Sequence, residues 1–142
     1  MANDLVSVIM PLYNAEMFVT QAMDSVLNQS HENLELIVVD DASTDDSLKR
    51  LGDIKDQRIK CIRLEKNGGV GKARNEGIRL AQGRFIAFID ADDLWLKDKL
   101  SKQIQWMLEN DISFSYSDYY LMNEESSFTH RVSSPRSVTY RT

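Results

Sequence analysis

A chain of 142 residues, 42% hydrophobic and 27% charged, has the make-up of one soluble globular domain, and a single domain over residues 1–142 is expected. Its 17 basic against 22 acidic residues leave a formal charge of −5, which excludes a broad basic field for nucleic acid or an anionic membrane. A lone cysteine, Cys61, excludes an internal disulfide and a cysteine-rich zinc site, and its apolar neighbours make it a core candidate.

No apolar run approaches the roughly 18–20 residues of a membrane span, and Met1-Ala2-Asn3-Asp4 lacks the basic start of a signal peptide. The expected location is the cytoplasm. In chain order, Leu5 to Met10 reads as a buried strand stopped by Pro11. Asn14 is placed to cap a helix over Glu16–Asn28, whose apolar stripe is Val19, Ala22, Met23, Val26 and Leu27. Leu34 to Val39 is a second strand, and Ser43 or Thr44 is expected to cap a short helix reaching Leu51. Ile59 to Leu64 forms a third strand, followed by a helix over Gly71–Ala81 that Gly83 ends in the left-handed conformation. Phe85 to Ile89 is a fourth strand, and Leu96 to Leu108 an amphipathic helix. Ile112, Phe114 and Tyr116 alternate as a further strand, and Asn123-Glu124-Glu125-Ser126 turns the chain into Phe128 to Val132 as a C-terminal hairpin. His31 and His130 stand alone as surface residues, and Trp95 and Trp106 are read as packing residues.

Four strand–helix alternations predict an α/β fold with a mostly parallel central sheet. In such sheets ligands bind beyond the carboxyl ends of the strands. Those ends carry Tyr13-Asn14, Asp40-Asp41, Asn67-Gly68-Gly69 and Asp90-Ala91-Asp92-Asp93, so polar groups from distant sequence meet on one edge.

Three carboxylates within Asp90-Ala91-Asp92-Asp93 repel one another unless a cation neutralises them, and an oxygen-only set favours Mg²⁺ or Mn²⁺. The competing reading is a solvated acidic loop that caps the next helix. Asp40-Asp41 offers a carboxylate to a base or ribose, again against helix capping. The stretch Asn67 to Arg74 joins glycines, a helix start and two cations, the ingredients of an anion site. Lys66 and Ala73 break the P-loop pattern, and Arg74 breaks the dinucleotide fingerprint. Lys72 and Arg74 oppose the helix dipole, which an anionic ligand explains better than stability does.

Taken together, residues 6–14, 24–30, 35–45, 67–77 and 88–93 resemble family 2 glycosyltransferases of the GT-A fold, in order and spacing, from about residue 5 to 108. The resemblance implies a three-layer Rossmann-like domain and inverting transfer of a sugar from a nucleotide diphosphate, usually a uridine one, to an acceptor hydroxyl. By the same resemblance Asp41 holds the uracil, Pro11 and Tyr13 line its pocket, and Lys72 and Arg74 sit by the base and diphosphate. Asp90 contacts ribose or donor sugar, and Asp92 coordinates the metal with Asp90 beside it. The implied acceptor is a saccharide or glycolipid, which allows peripheral association with the inner face of a membrane. The family's general base lies well downstream, so the expectation is a donor-binding part truncated before the acceptor-binding part; Asp118 is the one nearby acid that could be promoted to base. Two alternatives remain at this point: a nucleotidyltransferase, which needs a glycine- and lysine-rich loop that Pro11-Leu12-Tyr13-Asn14 does not offer, and a non-catalytic nucleotide-sugar-binding module.

Overall fold

The computed structural model describes residues 4–123, 125 and 127–134. Met1 to Asn3, Glu124 and Ser126 of the expected turn, and the tail from Pro135 lie outside the described residues. The chain divides into two compact units, one ending at Gln105 and one beginning at Trp106.

The first unit holds a four-stranded parallel sheet in the order β3-β2-β1-β4. Its strands are β1 (Val6–Leu12), β2 (Leu34–Asp40), β3 (Ile59–Arg63) and β4 (Phe85–Phe88). β1 and β2 are buried along their whole length, as expected of central strands covered on both faces. On one face Val6, Val8, Met10 and Leu12 join Leu36 and Val38. That face packs on Val19, Ala22, Met23 and Val26 of α1 (Val19–Leu27), Leu51 of α2 (Ser47–Asp53), and Leu100 and Ile104 of α4 (Lys99–Glu109). On the other face Ile37 and Val39 pack on Ala73 of α3 (Val70–Leu80). The three layers follow from this division. α3 comes close to β1 because Gly77 has no side chain: a Cβ there would sit 2.5 Å from Cγ2 of Ile9.

Several expectations need correction. β1 continues through Pro11 to Leu12. Pairing with β4 ends at Ile9↔Phe88, with the Ile89 amide donating to the Ile9 carbonyl. The Ile9 carbonyl points toward β4, and the Leu12 carbonyl, an odd three residues on and so on the opposite side of the strand, accepts from the Asp41 amide on the β2 side. The missing N–H of Pro11 therefore points toward β4, past the end of the pairing, where no donor is needed. Asn14 does not cap α1: it has φ 48° and its Oδ1 accepts from the Thr44 amide at 2.8 Å, while α1 starts only at Val19. Ser43 and Thr44 do not cap α2, which starts at Ser47; the Ser43 hydroxyl accepts from the Asn14 amide at 3.0 Å instead. Gly83 is not left-handed. It is a glycine because a Cβ would lie 2.6 Å from both the Leu5 carbonyl oxygen and the Ser7 nitrogen of β1. Cys61 is exposed, because β3 is an edge strand whose half-buried positions are Ile59 and Ile62. α4 begins at Lys99 rather than Leu96; the segment before it is tied to α1 by buried Gln29, whose Nε2 donates to the Leu96 carbonyl and whose Oε1 accepts from the Leu100 amide.

A buried polar cluster closes the amino-terminal end of the α3 face. Glu35 accepts from Lys60 Nζ at 2.7 Å, from the Gln82 amide at 2.8 Å and from the Ser7 hydroxyl. Burial pushes this carboxyl up, but the Lys60, Ser7 and Gln82 hydrogen bonds together outweigh burial and hold it below its ordinary 4.5. A depressed carboxyl contributes stability that is present above the unfolded pKa and is lost as pH falls through the folded value. The urea midpoint is therefore expected to fall as pH drops below about 4.5, with a smaller fall in Glu35→Gln, measured by circular dichroism. Equal acid sensitivity of the two proteins would remove Glu35 from this role.

The second unit contains an antiparallel hairpin, β5 (Tyr119–Met122) with β6 (Phe128–Val132), as expected. The strand expected at Ile112, Phe114 and Tyr116 is absent. Phe114 is 78% exposed, and the segment has no partner strand among the described residues to make its alternation a ladder.

Candidate functional site

The chain moves from β1 to β2 and β3 on one side, then returns to the other side of β1 for β4. A crevice at the carboxyl ends of β1 and β4 is the consequence, and that is where open α/β sheets place ligands. β4 pairing stops at Ile9 while β1 runs on to Leu12.

Asp41 follows β2 and is 3% exposed. Its two carboxylate oxygens accept from the Gly68 amide at 2.8 Å and the Gly69 amide at 2.7 Å. This clamp sets the start of α3, where Gly69 takes φ 85° and occupies the cap position without a side-chain cap. The amides of the first helical turn lack intrahelical acceptors, so the clamped loop presents donors to an anion. The Lys72 stem lies over Gly68, since a Cβ at 68 would be 2.4 Å from Lys72 Cδ. Lys72 is exposed, and Arg74 two residues on is half-buried. Its Nη2 donates to Asp90 Oδ1 at 2.7 Å, and its Nε is buried without a hydrogen-bond partner among the described residues. Pro11 is buried at the end of β1, and Tyr13 beside it is 50% exposed.

Asp90, Asp92 and Asp93 occupy a tight turn closed by the Asp93 amide donating to the Asp90 carbonyl at 3.0 Å. Burial, then the like charges of Asp92 and Asp90, pushes the Asp93 carboxyl above its ordinary range. That is the repulsion the sequence predicts, and a cation would relieve it. Among the described residues no three His, Cys, Asp or Glu side chains converge as a ready cage. The donor set fits an ion held by one or two carboxylates with a ligand's phosphates completing the shell, the usual arrangement for Mg²⁺.

Asp40 and Asp41, indistinguishable in sequence, have separate roles. Asp40 is fully buried, accepts from the Ser43 amide at 3.2 Å and lies 3.3 Å from Arg63 Nε, so it serves the loop rather than a ligand. Sequence reasoning also missed the lock between the loops after β1 and β2. Besides the Asn14 bonds, the Ala15 amide donates to Ser47 Oγ at 2.9 Å and the Asp46 amide to Glu16 Oε2 at 2.8 Å. The signal was available: a polar Asn-x-Glu after one strand and a Ser/Thr/Asp run after the next, each supplying acceptors for amides. In the second unit Asp118 accepts from the Ser134 amide at 2.8 Å and from Arg131, and these hold its carboxyl below the ordinary range. An acid held ionised in this way is a poor proton acceptor.

The chain matches the Glycosyl transferase family 2 profile over residues 7–142. It is 43% identical over 136 residues to the Escherichia coli UDP-Glc:alpha-D-GlcNAc-diphosphoundecaprenol beta-1,3-glucosyltransferase WfgD, covering 96% of this chain and 53% of that protein. Among solved structures, Staphylococcus aureus TarS 1–349 in complex with UDP-GlcNAc superposes with a TM-score of 0.70 at 35% identity, over 75% of this chain and 32% of that one. The Pyrobaculum calidifontis mannosyltransferase PcManGT, in complex with GDP-Man and Mn²⁺, gives a TM-score of 0.70 at 28% identity, over 75% of this chain and 33% of that one. The fold is that of GT-A glycosyltransferases. The chain belongs to glycosyl transferase family 2, and it spans about half the length of the curated relatives it matches.

Proposed function

We propose that this chain is the donor-binding part of an inverting glycosyltransferase that takes a sugar from a nucleotide diphosphate, with uridine as the nucleoside. The observation that carries the reading is the clamp of Asp41 on Gly68 and Gly69, which holds the start of α3, a helix joined to the Asp90–Asp93 turn by the Arg74–Asp90 bond. A diphosphate is the ligand that suits amides on one side and, through a divalent ion, carboxylates on the other. Pro11 and Tyr13 flank the base, Asp41 shapes its pocket, Lys72 offsets phosphate charge, and Asp90 meets the ribose or sugar. Asp92, with Asp90 beside it, is assigned to Mn²⁺ or Mg²⁺, which when bound takes up charge on the departing phosphate. TarS and PcManGT, bound to UDP-GlcNAc and to GDP-Man with Mn²⁺, support a nucleotide-sugar donor and a metal. The WfgD acceptor, a diphosphoundecaprenol glycolipid, supports a glycolipid or saccharide acceptor, and with it a cytoplasmic protein working at the inner face of a membrane. Among the described residues no helix is long and apolar enough to cross that membrane. No general base is assigned to this chain, since Asp118 is held by Ser134 and Arg131.

Calorimetry with UDP, with and without Mn²⁺, tests the reading. Binding that tightens with Mn²⁺ is expected, and Asp92→Asn is expected to remove the Mn²⁺ dependence while leaving metal-free binding in place. No binding at millimolar UDP overturns the proposal.

A further inference from the structure

We propose that Arg74 is a positioning residue that acts on a bound donor through Asp90, rather than a direct ligand of the diphosphate. The inference rests on the nucleotide-sugar reading above. Arg74 stands near the start of α3 and Asp90 directly after β4, so their contact bridges two elements that meet at the crevice. Nη2 of Arg74 donates to Oδ1 of Asp90 at 2.7 Å, a charge-assisted bond between side chains that are 38% and 47% exposed.

Three features make the pair a fixed part of the site. Arg74 places a positive charge on one carboxylate of a turn that carries three, Asp90, Asp92 and Asp93. Its Nε is buried without a hydrogen-bond partner among the described residues, so the guanidinium already sits with one donor unmet. Swinging it away to reach a diphosphate would break its bond to Asp90, an additional cost. Engagement of Oδ1 alone leaves the second oxygen of Asp90 for the ribose, the sugar or the metal. Lys72, exposed and without such a partner carboxylate in the described contacts, is the cation free to meet phosphate directly.

A double-mutant cycle on UDP affinity decides between acting through Asp90 and acting beside it. Arg74→Met and Asp90→Asn are each expected to weaken UDP binding in Mn²⁺ about tenfold, and the double variant no more than either alone, because both remove one coupled unit. The Mn²⁺ concentration needed for half the enhancement is expected to rise by a similar factor in Arg74→Met, a readout that loss of a phosphate contact alone would not move. Melting temperatures taken alongside separate binding loss from unfolding; if Arg74→Met does not fold, Arg74→Gln runs the same cycle. Losses that multiply to about a hundredfold mean that Arg74 touches the donor independently, and overturn the proposal. An Arg74 variant that binds UDP as the unsubstituted chain does overturns it as well. Failure of the unsubstituted chain to bind UDP is a different result, because it defeats the nucleotide-sugar reading itself.

Discussion

Asp41→Ala is expected to destabilise the protein by about 2–3 kcal/mol and to weaken UDP binding at least tenfold. Both oxygens of this buried carboxylate are engaged, by Gly68 at 2.8 Å and Gly69 at 2.7 Å. Hydrogen bonds to a charged acceptor contribute about 1.5–3 kcal/mol each, and the loop can recover part of that by turning its amides to water. The same loop holds Gly69 at φ 85°, a conformation glycine adopts without steric cost, so the two amide bonds rather than sterics fix it. Amide exchange at Gly68 and Gly69 in the ligand-free protein, followed by NMR, is expected to accelerate in Asp41→Ala. Asp41→Asn, with one acceptor oxygen left, is expected to lie between the two. Unchanged exchange in Asp41→Ala would mean that the loop holds its shape without the carboxylate, leaving Asp41 only a ligand contact.

The second large effect is expected at Gly83. A Cβ there meets the Leu5 carbonyl oxygen and the Ser7 nitrogen, each at 2.6 Å, and the Ser7 hydroxyl at 2.9 Å. Two of the three are backbone atoms, one in the central strand and one just before it, which cannot turn aside as a side-chain tip can. The Gly83 amide also donates to Ser7 Oγ at 2.8 Å, so backing away from the clash breaks that bond in a buried cluster. Gly83→Ala is expected to cost about 3 kcal/mol, and to lower the melting temperature by on the order of 10 °C in calorimetry. Gly52, with nothing within 4 Å of its would-be Cβ and a place in α2, is the control: Gly52→Ala is expected to stabilise by about 0.5–1 kcal/mol. Equal melting temperatures for Gly83→Ala and the unsubstituted chain would show that β1 and the α3–β4 connection can part at little cost.

Much of this molecule is legible in the residues. The runs Leu5 to Met10 and Leu34 to Val39 are too short for surface helices and largely apolar, and both are strands, fully buried from Val6 and from Leu34 on. The stripe Val19, Ala22, Met23, Val26 and Leu27 can be buried on one face only as a helix; the first four are buried and Leu27 is half-buried. The acidic and glycine-rich strand ends were equally plain, and they lie at the carboxyl edge of the sheet. Errors came where a polar residue had more than one possible partner. Asn14, Ser43 and Thr44 have the right types for helix caps, but the helices begin later and these groups bond across two loops. Cys61 has apolar neighbours in sequence, yet its exposure depends on β3 being the edge.

The sequence by itself determined the alternation of strands and helices, the family and the residues gathered at one end of the sheet, because periodicity and strand-end chemistry are local properties. Only the tertiary structure decided which partner each of those residues takes. Asp40 and Asp41 are adjacent and chemically identical, but the pleat sends one toward Arg63 and the other toward the amides of Gly68 and Gly69. Asp90 is one of three neighbouring carboxylates, and α3 brings Arg74 to it alone. Such pairings are set by the strand order β3-β2-β1-β4 and by a helix that lies close to β1 over Gly77, through contacts between residues far apart in the chain.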